Sequence, residues 1–187
     1  MSGPLHLVRR FFGSLVPAGE PRADREWILE NLIEGEQDIW RTMSRPDHAA
    51  GVARRVERAL GNEAGRPVIA AALLHDCGKT VSGLGTYGRV IATVSVRLAG
   101  HEQALAWRET RGFTRRVGLY VLHPELGADL LGMAGSAPLT VAWAAEHHLP
   151  ADQWTVPVHI GEALKAADDD FEMIETLYGV GYRFKET

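Results

Sequence analysis

The stretch Leu73-Leu74-His75-Asp76-Cys77-Gly78-Lys79-Thr80 puts an adjacent histidine and aspartate at the end of an apolar run that begins at Val68. Neighbouring side chains on a helix point about 100° apart, so both can reach one metal ion. A carboxylate has two oxygens, which lets Asp76 bridge two ions. Nitrogen and oxygen donors together suit zinc, manganese, iron, cobalt or nickel better than calcium. Similar groups interrupt other apolar helices. Asp47-His48 heads one, and His123-Pro124-Glu125-Leu126-Gly127 opens another. His147-His148 ends a third after Ala142-Trp143-Ala144-Ala145, and Asp168 follows Ala163-Leu164-Lys165-Ala166-Ala167. Any one histidine in such a position is ordinarily a core or surface residue. This many N/O groups at helix ends would be costly to bury without partners, and a metal satisfies them together.

The elements that must carry these residues read as helices. Asp24 to Met43 is one, with Asp24 as its cap and Trp27, Ile28, Leu32, Ile39 and Trp40 near one face. Pro46 begins the next, striped by Val52, Val56 and Leu60. Pro67 can occupy the first turn of the helix that ends at His75. Ser82 to Gly88, with three glycines, reads as a loop over the His-Asp pair. Val90 to Leu98, His101 to Trp107 and Phe113 to Leu122 are helical, and Pro124 to Met133 is helical with a break at Gly127. Pro138 to His148 and Val156 to Phe171 complete an all-α domain of seven to nine helices. Residues 1–23 form an N-terminal arm and linker, 24–171 the domain, and 172–187 a tail with two short strands around Gly179 and Gly181.

Composition narrows the function classes. The chain has 187 residues, enough for one sizeable core, and 45% apolar content is ordinary for a globular protein. A net charge of −4 gives no drive toward nucleic acid, and no stretch approaches the roughly 18 apolar residues of a membrane span. The single cysteine, Cys77, excludes an intrachain disulfide and fits a reducing compartment, so the expected location is the cytoplasm. Cys77 itself reads as a small core residue. Leu5, Val8, Phe11, Phe12 and Leu15 fall at helical spacing and are expected to dock on the chain's own domain or on a partner. Exposed aromatic residues there would favour a homodimer.

The order His48, His75-Asp76 and a distal Asp168 resembles the HD-domain metal-dependent phosphohydrolases. His123 in His-Pro-x-x-Gly, together with His147-His148, is similar to their two-metal subgroup typified by HD-GYP phosphodiesterases. The resemblance covers Asp47 to Phe171. It implies a single HD-type helical bundle holding two divalent transition metals, iron or manganese before zinc or nickel. One would take His48, His75, Asp76 and Asp168; the other would share Asp76 and take His123, His147 and His148. Asp169 is the runner-up to Asp168 as the last ligand. Lys79 would face the substrate phosphate, and Arg89 is the next cation expected near it. Paired metals activate water near neutral pH, and a lysine is a point charge for the phosphate. Glu146 could orient a ligating ring.

The resemblance therefore implies hydrolysis of a small phosphorylated molecule, a nucleotide by preference. The Gly-Tyr-Pro signature of HD-GYP proteins is absent; Leu149 to Pro157 stands there instead. Cyclic-dinucleotide or diadenosine polyphosphate cleavage is the enzymatic alternative. A non-catalytic HD-like scaffold is the alternative of another class. Ser44 replaces a glutamate that often precedes the first histidine, so no third metal is implied.

Overall fold

The computed structural model describes residues 22–43, 46–169, 174–177 and 181–184. The N-terminal arm expected to dock lies outside the described residues, as does Ser44. Ten α-helices carry the described fold: α1 Arg22–Asn31, α2 Glu34–Thr42, α3 Pro46–Leu60, α4 Arg66–Leu74, α5 Thr86–Ala99, α6 His101–Ala106, α7 Gly112–Val121, α8 His123–Met133, α9 Pro138–Glu146 and α10 Val158–Asp169. Two segments beyond them, Ile174–Leu177 and Gly181–Phe184, pair antiparallel and supply no site residue. Among the described residues no helix is long and apolar enough to cross a membrane.

The centre of the bundle is α4. Every residue from Val68 to Leu74 is buried, as expected of a helix that is apolar all round. Its three alanines let neighbours approach closely, and it packs against α1, α2, α3 and α9. α3 turns Ala49, Val52, Ala53 and Val56 inward and also packs against α10. The Arg54 guanidinium lies 3.6 Å over the Trp27 ring, and Trp27 Nε1 donates to Glu57, which ties α1 to α3.

The helix count exceeds the expected seven to nine because Asp24 to Met43 is two helices. The break at Leu32-Ile33 leaves backbone groups that side chains then satisfy. Glu36 accepts from the Ile33 N–H at 2.9 Å, and the Gln37 amide donates to the carbonyls of Leu29 and Leu32. Asp24 lies within the first turn of α1, not at its cap. The three-glycine segment is shorter as a loop than expected, because α5 begins at Thr86 and takes in Gly88.

The long segment between Asp76 and His123 folds as a unit. α5, α6 and α7 pack on one another around a second, smaller core of Leu84, Ala92 and Val117, flanked by Trp107 and Tyr120. Gly118 makes this possible: a Cβ there would lie 2.4 Å from the backbone nitrogen of Arg108.

Candidate metal centre

Three histidines reach the site by the same local device. His75 follows the last residue of α4, His147 follows the last residue of α9, and His123 stands two residues past α7. The final carbonyls of a helix lack partners within it. Each ring uses its Nδ1–H to satisfy the carbonyl three residues back: Ala72 at 3.0 Å, Tyr120 at 2.8 Å and Ala144 at 2.9 Å. A carbonyl only accepts, so Nδ1 carries the proton, and Nε2 is left with its lone pair free for coordination. All three rings are buried.

These Nε2 atoms converge on Asp76. Oδ1 of Asp76 lies 3.5 Å from His123 Nε2 and 3.7 Å from His147 Nε2. Oδ2 lies 3.9 Å from His75 Nε2 and accepts from Lys79 Nζ at 2.5 Å. The two oxygens of one carboxylate thus face two donor groups. On the Oδ2 side, Asp168 stands 3.6 Å from His75 Nε2 and 3.2 Å from His48 Nε2. On the Oδ1 side, His148 Nε2 is 3.1 Å from His123 Nε2, and ligand nitrogens of His123, His147 and His148 all lie within 4.8 Å of one another. Ligands on one ion at about 2.0–2.2 Å stand about 3–3.6 Å apart; the shorter of these separations fall in that range, and the Oδ2–His75 and Oδ1–His147 distances of 3.9 and 3.7 Å lie a little beyond it.

Two atoms are conspicuous. His75 Nε2 and His147 Nε2 are buried and have no hydrogen-bond partner. A buried unsatisfied polar atom costs roughly 1–3 kcal/mol. A divalent cation beside each would supply the missing partner.

The electrostatics separate the two sides. Burial, with the charges of His75 and His148 added, pushes His147 down to about 2. Burial and the Lys79 charge push His123 down to about 4, and burial also lowers His148. Burial opposes charge on His75 as well, but the carboxylates of Asp76 and Asp168 outweigh it and raise its pKa. Burial alone would raise Asp76 and Asp168. His75 and Lys79 reverse this for Asp76, and the adjoining His48 and His75 imidazoles reverse it for Asp168, so both stay ionised well below the usual carboxylate range.

Glycines close the site. A Cβ on Gly78 would lie 2.0 Å from the His123 carbonyl oxygen and 2.7 Å from Gly127 N. Only glycine lets the turn Cys77–Thr80 press onto the start of α8, which brings Asp76 to His123. Gly127 does not break α8 as expected; it faces Cys77 and Gly78 across this contact. The Cys77 thiol is buried against the Gly127 carbonyl at 3.8 Å, and its pKa is pushed up to about 12, chiefly by burial. It is a packing residue with no reactive thiolate.

The structure brings together His48, His75, Asp76, Lys79, His123, His147, His148 and Asp168. Asp168, at the end of α10, takes the position facing His48; the side chain of Asp169 lies outside the described residues. So does that of Arg89, which belongs to α5. Glu146 does not orient a ring. Its carboxylate accepts from the Thr155 N–H at 2.7 Å and the Thr155 hydroxyl at 2.6 Å, pinning the loop of residues 149–157. Trp154 in that loop donates to the Glu146 and Leu149 carbonyls and lies against Gly161. A cavity of about 130 Å³ adjoins the donors, lined in part by His75, His147, Asp168 and Lys165. Lys165 escaped the sequence reading; its signal is a single cation one turn before Asp168 on an otherwise apolar stretch.

Compared with known proteins, the chain matches no family model, and no solved structure matches it.

Proposed function

We propose that the protein is a metal-dependent phosphohydrolase or phosphodiesterase of the HD type, acting on a small phosphorylated molecule, a nucleotide by preference. One observation carries this reading: the two oxygens of Asp76 face two separate donor groups, and a buried, unpartnered imidazole nitrogen stands in each. His48, His75, Asp76 and Asp168 would hold one divalent ion; Asp76, His123, His147 and His148 would hold the other. Mixed imidazole and carboxylate donors favour iron, manganese, zinc or nickel. Bound there, such ions supply Lewis acidity and an activated water near neutral pH.

The chain's own groups do the rest. Asp76 and Asp168 remain anionic and compensate metal charge. The Nδ1–H bonds hold each ring with Nε2 inward, a pre-organisation that costs nothing at the moment of binding. Lys79, beside Asp76, offers an ammonium to an incoming phosphate. The single cysteine and the lack of a long apolar helix among the described residues fit a cytoplasmic enzyme.

Elemental analysis of protein purified without added metal or chelator, on wild type and His123→Ala together, tests the reading. Close to two metals per chain, falling toward one in the variant, is expected. Phosphate release from a panel of nucleotides and phosphodiesters, measured with that metal, should accompany it. No metal after loading with iron or manganese would favour a scaffold role instead.

A further inference from the structure

We infer that Lys165 is a second cationic contact for the substrate's phosphoryl group, an inference that rests on the hydrolase reading. The cavity beside the donor cluster has an apolar side that includes Trp143 and Leu164 and a polar side of His75, His147, Asp168 and Lys165. Lys165 and Asp168 stand three residues apart on α10, so one helical turn presents both to the same space. Among the described residues no carboxylate pairs with the Lys165 ammonium. Its polar contact is with the His147 carbonyl at 3.5 Å, at the outer limit of a hydrogen bond.

The contrast with Lys79 gives this weight. Lys79 is already committed to Asp76 Oδ2 at 2.5 Å and must give up part of that pairing to meet an anion. Lys165 has no carboxylate among the described residues to surrender. An ammonium at a cavity wall with no counter-ion among the described residues favours an anion there, because a phosphoryl group supplies both charge and acceptor oxygens. The cavity's size agrees. About 130 Å³ is well below the roughly 300–1,000 Å³ of pockets that enclose a whole ligand. It holds a phosphoryl group while the remainder of the substrate lies outside.

Inorganic phosphate titrated calorimetrically into manganese-loaded protein tests this, with metal content and melting temperature measured on the same samples. Lys165→Met should weaken phosphate binding about tenfold or more with unchanged metal content and melting temperature, and Lys165→Arg should restore it to within a few-fold. Phosphate binding to Lys165→Met as tight as to wild type overturns the inference and leaves the hydrolase reading standing, provided wild type holds two metals. Failure of wild type to take up either manganese or iron, or of the loaded protein to bind phosphate at all, overturns the hydrolase reading and the inference with it. A loss in Lys165→Met that tracks a fall in metal content or melting temperature assigns the lysine to structure and also overturns it.

Discussion

The two flanks of Asp76 solve the same problem with opposite chemistry. On one side stand His48, His75 and Asp168, where an anion draws positive charge and His75 is made easier to protonate. On the other stand His123, His147 and His148, with no carboxylate of their own but Asp76, and every ring is made harder to protonate. One flank is organised by ion pairing, the other by burial. The difference teaches that one carboxylate can join two donor groups whose affinities for protons differ, and under the proposed function their affinities for metals would differ with them.

The largest disruption is removal of the shared group. Asp76→Ala should abolish both sites, with metal content falling to near zero in elemental analysis; retention of one ion would mean that a flank is self-sufficient. Gly78→Ala comes next. Its new Cβ meets the His123 carbonyl, so the turn must lift from α8. We expect about 2–4 kcal/mol of destabilisation in urea unfolding, with loss of the ion on the histidine-rich flank while the other persists.

Smaller, and more discriminating, is the pH dependence of the single-flank variants. Metal binding needs neutral rings. His48→Ala retains the histidine-rich flank, whose His123 takes a proton only near about 4; it should hold its ion on dialysis into mildly acidic buffer. His123→Ala retains the carboxylate flank, where the raised His75 pKa lies above 6.5. It should lose its ion at a higher pH than His48→Ala does. The reverse order of release would contradict the assignment of charge to the two flanks.

The smallest effect concerns stability without metal. His147→Leu removes a buried nitrogen that has no partner, so the metal-free variant should be as stable as wild type or more stable by up to about 1–3 kcal/mol. The folded pKa of His147 is lowered, so the stability tied to its neutral form is present above the unfolded value of 6.5 and is lost as pH falls toward about 2. The variant's advantage should therefore grow below pH 6.5 in chelator-treated samples, and added metal should raise its melting temperature less than it raises that of wild type.

Much of this was legible in one dimension. The apolar run Val68–Leu74 announced a buried helix, and polar residues at the ends of apolar helices announced convergence, because both are local patterns. What periodicity cannot carry is contact at a distance. The break between α1 and α2 depends on Gln37 and Glu36 reaching back to backbone groups. Gly127 reads as a helix breaker, yet a glycine within a helix costs only about 1 kcal/mol, which the approach of Gly78 repays. Glu146, just before two histidines, reads equally as a ring-orienting group or a solvated helix residue; its partner is Thr155, nine residues on. Lys165 gained its interest only once the cavity had walls.

The lock on the three rings has a further consequence. Its acceptors are main-chain carbonyls at residues 72, 120 and 144, so no side-chain substitution at those positions can delete them. Mutational scanning should find Ala72 and Ala144 sensitive to any larger or polar side chain, as buried positions are, and a scan that seeks orienting carboxylates would miss the orienting group altogether. In such a protein the ability to aim an imidazole is inherited with the helix end itself, and redesign of the ligand set can keep that aim for as long as the helix stops where it does.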